Sequence, residues 1–356
     1  MERLEQFNGL IETMLPNNVI IEDDAGNISV MVRIPKFRIC DVIDGGSEKV
    51  HPAFIVNGRE IDCIYASKYQ NVVIDGRACS LPDKLPDFEQ SYEECMELCQ
   101  SKGAGWHMMT VAEWAAIALW SRRNGTMPKG NCDNGKDINE TEIKAKPLTW
   151  QDGKVIMVAT GSGPCTWSHD GTYAGIWDMK GNVNTRVAGY QTVYGEIQII
   201  PDNDAAMHID QSPASPHWRA VAVDGTLLIP DGKGTTPGSL KWDIVDGVIT
   251  LCENITNREP EWKTTKFADL GLAPGIEAPE VLKALGLFPA ERGGDYDGAG
   301  FYVNNSEENR VAYRGGRATL RGNASIFLNS SGAGRFIPPE ENIFPHTSVR
   351  ASYIEI

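Results

Sequence analysis

Glycine recurs 36 times along these 356 residues. Each glycine eases a tight turn and weakens a helix interior. The chain is therefore expected to fold as short strands joined by turns, with few helices. Two stretches carry an apolar helical period closed by capping signals. One is 91–102, with Tyr92, Cys95, Met96 and Cys99 on one face, Ser91 as N-cap and Gly103 as stop. The other is 110–124, where Thr110 and Glu113 form a capping box ahead of Trp114, Ile117, Ala118 and Trp120. Glu113 is read there as a cap, in preference to a catalytic carboxylate. Shorter helical patterns cover 1–15, ended by Pro16, and 278–287, with Pro279 suited to the first turn and Gly286 to the end.

Strand-like runs fall at 18–22, 28–34, 53–56, 61–65, 72–74, 196–200, 220–223, 226–230 and 248–251. No internal repeat is present. The stretch 125–170 is polar and glycine-rich. Its residues Asp133, Asn134, Asp137 and Asn139 are of the types that calcium loops use, but the spacing fails the EF-hand pattern and no glutamate closes it. It is read as a solvated loop, with no metal and no cofactor.

A formal charge of −15 argues against nucleic acid as a partner, since phosphate binding needs a concentrated basic surface. Arg310, Arg314, Arg317, Arg321 and Arg335 are a local exception near the C-terminus. No apolar run is long enough to insert in a membrane. The first residues, Met-Glu-Arg-Leu-Glu-Gln, lack the basic start and apolar stretch of a secretory signal peptide, so synthesis in a bacterial cytoplasm is expected. Eight cysteines without a Cys-x-x-Cys pair are read as reduced structural thiols.

Three ordered motifs narrow the reading. The first is Gly105-Trp-His-Met-Met-Thr-Val-Ala-Glu-Trp-Ala-Ala116. The second is Gly175-Ile-Trp-Asp-Met-Lys-Gly-Asn-Val183. The third runs from Gly300-Phe-Tyr-Val through Tyr313-Arg-Gly-Gly316 to Ser348-Val-Arg350. Together they resemble the formylglycine-generating-enzyme (sulfatase-modifying factor) branch of the C-type lectin fold. The resemblance extends to phage tail and receptor-binding proteins of that branch, many diversified by retroelements. Segments such as Met31-Val-Arg-Ile-Pro-Lys-Phe, Trp167-Ser-His-Asp-Gly-Thr and Leu282-Lys-Ala-Leu-Gly-Leu-Phe-Pro carry this closer likeness. The chain departs from the branch where Asn184-Thr-Arg replaces Trp-Glu-Trp and where Arg317-Ala follows Arg-Gly-Gly in place of Ser-Trp.

The resemblance implies an α+β, C-type lectin-like fold, irregular and glycine-rich, with few helices and short antiparallel strands. Residues 1–27 would be an N-terminal leader or assembly segment. Residues 28–356 would be the lectin-like domain, with an insertion at about 190–278 and a ligand-binding region at about 310–356. Oxidase chemistry of the formylglycine type needs reactive thiols late in the domain, and the last cysteine is Cys252. A non-catalytic binder is therefore expected. The variable members display side chains after Arg-Gly-Gly. Here these are Arg317, Thr319, Arg321, Asn323, Ser325, Asn329, Ser331, Arg335, Phe336, Asn342, Phe344 and His346, with Glu340 less directly implied. Asn and Ser give adaptable hydrogen bonds while Arg and aromatics anchor. The implied role is host attachment on a phage tail within the virion, with a host surface receptor, protein or glycan, and other tail proteins as partners. Homo-oligomerisation is left open. The alternatives are a structural tail protein of fixed specificity and a formylglycine-type oxidoreductase.

Overall fold

The computed structural model describes residues 2–88, 90–258, 263–306, 310–314, 325–327, 329–331 and 347–355, with 2–4, 6, 310–314 and 329–331 as backbone only. The helices among these are α1 (Glu2–Met14), α2 (Ile39–Val42), α3 (Tyr92–Gln100), α4 (Val111–Arg123) and α5 (Glu280–Ala284). The two capped stretches fold as read. Ser91 and Thr110 each accept the N–H of the residue three positions on, and Glu94 and Glu113 each return a carboxylate to the cap. The 53–56 run is divided, with a 3-10 turn at Pro52–Phe54 before a short strand at Ile55–Val56. His51 caps that turn by accepting the Ala53 N–H.

The class is α+β, with few helices and several antiparallel sheets. One five-stranded sheet is antiparallel throughout, in the order Asn18–Glu22, Ile28–Pro35, Cys63–Ser67, Ala351–Tyr353, Trp106–Met108. It joins the beginning of the chain to its end. The strand Asn18–Glu22 pairs residue for residue with Ile28–Pro35, so 18–27 is the first arm and turn of a hairpin within this sheet.

A second, twelve-stranded sheet has Asn184–Val193 at its centre, and three two-stranded hairpins stand apart from both sheets. Strands from the 190–278 stretch continue it outward: Glu196–Ile199, then Lys241–Val245, then Val248–Cys252. Their apolar residues Ile197, Ile199, Trp242, Ile249 and Leu251 belong to the same core as α4. Tight hairpins close over Asp75-Gly76, Asp152-Gly153 and Asp246-Gly247, where both residues have positive φ. That geometry matches the twist of the flanking strands.

Helix α4 is the hub. Every residue from Val111 to Leu119 is buried. It packs on the central strand, on the 3-10 turn, on α2 and on α5. A helix buried all round needs its polar groups satisfied internally, and Glu113 and Ser121 both meet that need. Truncating Trp114, 1% exposed, would cost roughly 3–5 kcal/mol.

Candidate functional site

The three sequence motifs meet in space, and Arg350 is where they meet. Its side chain is fully buried. It donates to the carbonyls of Ser67, Trp177 and Asp178 at 2.9, 2.8 and 3.3 Å. Its own carbonyl accepts the Met109 N–H, and Ala351 pairs with Met108 in the small sheet. The first motif, the second and the chain end are thereby tied together.

Each motif has a local physical reason. In the second, Asp178 and Asn182 take positive φ, which Asp and Asn tolerate better than other side chains. Asn182 accepts the Val158 N–H and donates to Gln70 and to the Val158 carbonyl. At Gly181 an added Cβ would fall 2.4 Å from the Asn131 carbonyl oxygen, and at Gly130 1.7 Å from that of Lys180. Those two backbones pass too closely for any side chain.

Between them lies the stretch that the sequence suggests as a solvated acidic loop. The structure corrects that reading. Asn131, Cys132 and Asp137 are fully buried, and Lys180 reaches in to pair with Asp137 at 2.9 Å and with Asp297. Burial works against all three charges. The ammonium nevertheless holds Asp137 below the usual carboxylate range, and the two acids hold Lys180 above its ordinary value. An internal ammonium thus supplies the cation at the centre of this loop. The hairpin Pro147–Gln151 with Lys154–Val158 covers part of it. No group of metal-ligating side chains is found among the described residues.

In the first motif Glu113 does more than cap. One carboxylate oxygen accepts the Thr110 N–H, while the other accepts His107 Nε2 at 2.8 Å and Asn203 at 3.1 Å. His107 also donates Nδ1–H to the Gly105 carbonyl. Burial disfavours both charges, yet Glu113 holds the imidazolium above the ordinary histidine value and is itself held low. The pair is sealed from solvent, so it is a structural centre.

The display residues inferred from the sequence lie mostly beyond this description. Arg317, Thr319, Arg321, Asn323, Arg335, Phe336, Glu340, Asn342, Phe344 and His346 fall outside the described residues, as do Gly315 and Gly316. Asn329 and Ser331 are placed by backbone in the strand Asn329–Ser331. Ser325 is buried, with its hydroxyl donating to the Tyr296 carbonyl and accepting the Phe327 N–H. That geometry gives Ser325 an anchoring position instead of an exposed one.

Strand pairing holds the ends of these segments. Arg314 pairs with Thr185 on one side and Asn329 on the other, and Thr347 pairs with Asn184. Three chain ends thus converge on the start of the central strand. Between them, 325–327 is pinned by the indole N–H of Trp114 on the Ile326 carbonyl at 2.8 Å and by Phe327 against Phe267 and Tyr296. At the convergence, Asn184 Oδ1 and Thr185 Oγ1 are buried without a hydrogen-bond partner among the described residues. Arg186, 6% exposed, donates Nε–H to the Gln90 carbonyl and forms no ion pair among the described residues.

None of the eight cysteines forms a disulfide. Burial pushes the Cys95 and Cys252 thiols up to about 12. No family model and no curated protein matches the chain. Among solved structures it is similar to PvdO from Pseudomonas aeruginosa, at 13% identity and a TM-score of 0.32, over 95% of this chain and 98% of that one. A likeness at that level carries neither a fold subtype nor a function across.

Proposed function

We propose that this chain is a non-catalytic ligand-binding protein on a C-type lectin-like scaffold of the formylglycine-generating-enzyme kind. Its C-terminal segments 315–324 and 332–346 form the recognition surface. It serves host attachment on a phage or prophage tail, binds a bacterial surface receptor and is a target of retroelement diversification. One observation carries the reading: both segments begin and end on fixed points. Arg314 and the pinned 325–327 turn bound the first, and the strands Asn329–Ser331 and Thr347–Ser348 bound the second. A scaffold that holds segment ends can tolerate exchange of what lies between. The buried, protonated thiols support a non-catalytic role, because thiolates are the reactive form.

Sequencing the gene across a natural population tests this. Substitutions are expected to concentrate from Arg317 to His346 at adenine-containing codons and to spare Trp106–Met108, α4 and Arg350. Uniform constancy would reduce the reading to a binder of fixed specificity. For a purified protein, Arg317→Ala with Arg335→Ala should abolish attachment to host cells without altering the melting temperature.

A second reading, a structural tail component, is favoured by α1. Asn8 docks the helix by bonding the N–H and carbonyl of Ile20. Phe7, Leu10 and Met14 remain 60%, 63% and 74% exposed along one side. Leu10→Glu should abolish assembly if that side is a contact, as read by light scattering of the purified protein.

A further inference from the structure

A cavity of about 490 Å³ opens between the end of α4, the strand Ile28–Pro35 and the 169–174 loop. Sites for small molecules run from roughly 300 to 1,000 Å³. Val32, Ile34 and Ile117 give it a buried apolar floor. Trp120, half-buried, and His169 stand side by side in the wall, their rings 5.4 Å apart and tilted by 47°.

His169 is 5% exposed, and its Nδ1 accepts the Ile176 backbone N–H at 2.8 Å. That bond places the imidazole proton on Nε2. Among the described residues nothing accepts from Nε2–H, and nothing accepts from the indole N–H of Trp120. The wall therefore holds unspent donors.

Most charges at the mouth are already paired. Lys36 pairs with Glu60 and Asp62, whereas Arg33 meets the thiol of Cys63 and the phenol of Tyr65. Arg123 pairs with Asp44 and Asp41 with Arg38. Asp170 accepts from Ser168 and Thr172. A charged ligand would have to break one of the ion pairs, or lie over an apolar floor with Arg33 and Asp170 both in the lining, where one of the two repels it whichever sign it carries. An uncharged ligand with an acceptor meets neither obstacle.

We propose that this cavity binds a small, uncharged ring compound that lays its ring against Trp120 and presents an amide or carbonyl oxygen to His169. The site is built from residues 16–174 and is independent of the C-terminal segments.

Three probes share one ring and differ in the head group: benzamide, benzoate and benzylammonium. Titrations of each against the full chain, followed by saturation-transfer NMR, should show benzamide binding tightest. His169→Phe and Trp120→Leu should each weaken benzamide by about fivefold or more, the factor expected for one lost hydrogen bond or stacking face. Arg317→Ala should leave it unchanged. Melting curves establish that each variant is folded, and if His169→Phe is not, Trp120→Leu carries the test. The proposal is overturned if benzamide does not bind, if the three heads bind equally, or if a folded variant set binds like the parent.

Discussion

Two of the buried charge centres in this scaffold are built on opposite plans. At His107–Glu113 the charges touch, and Asn203 and the Thr110 N–H fill the remaining capacity of the carboxylate. At Arg350–Asp178 no ion pair forms. The guanidinium spends its N–H groups on backbone carbonyls, and Asp178 Oδ1 and Arg350 Nε are left without partners among the described residues. Burial accordingly pushes Asp178 up to about 6, although the Gly161 N–H and Arg350 pull the other way, and it brings Arg350 down to about 10. A matched pair keeps both members charged. The mismatched one gives up electrostatic fit and gains a cross-link between separate chain segments.

If that contrast is right, the same kind of substitution should act differently at the two centres. Glu113→Gln leaves an imidazolium without its counter-charge in a sealed site. It should cost about 3 kcal/mol in urea denaturation, at the low end for a broken buried pair because His107 can shed its proton. Arg350→Met should cost less, about 2 kcal/mol, since orphaned carbonyls are partly offset by removing a poorly solvated guanidinium. Equal losses would erase the distinction.

Acid sharpens it further. His51 and His169 are buried and pushed down to about 4. Between pH 6.5 and 4 the unfolded chain takes up protons that these folded histidines refuse, so stability falls as pH falls. Asp178 acts in the opposite sense. With its folded value near 6, the native state takes up a proton more readily than the unfolded chain, and stability rises on acidification. His107, held above its ordinary value, contributes stability that is complete below pH 6.5, and Glu113 contributes stability lost only below its own unfolded value. Two histidines against one aspartate leave a net loss of about 3 kcal/mol from pH 7 to 4. Denaturation midpoints across that range measure it, and a flat profile would contradict the assignment.

What could be read from the residues alone was whatever is local. The Thr110–Glu113 capping box needs only neighbours in sequence, and α4 follows from it. The second role of Glu113 depends on His107 and Asn203 arriving from other elements, and no spacing announces that. The acidic stretch around Asp137 was misread as solvated for the same reason, because Lys180 comes from the following motif. Asp152-Gly153 is a hairpin turn by composition, and it lies between the strands Pro147–Gln151 and Lys154–Val158. The motif around Asp178 was legible as a resemblance, but its reason, positive φ and close backbone approach, needed coordinates.

The smallest expected effect separates the two plans most sharply. At pH 7 the Asp178 carboxylate is ionised above its folded value, so its charge works against the native state. Asparagine tolerates the same left-handed backbone, can accept the Gly161 N–H through its own oxygen, and removes the buried charge. Asp178→Asn should therefore be neutral or stabilise the fold by up to about 1 kcal/mol, where Glu113→Gln destabilises it. It should also make acid denaturation steeper, because a group that gains from protonation is gone. A loss at Asp178→Asn comparable to that at Glu113→Gln would mean that Asp178 is paired in solution, and that Arg350 and Asp178 form a matched centre like the other.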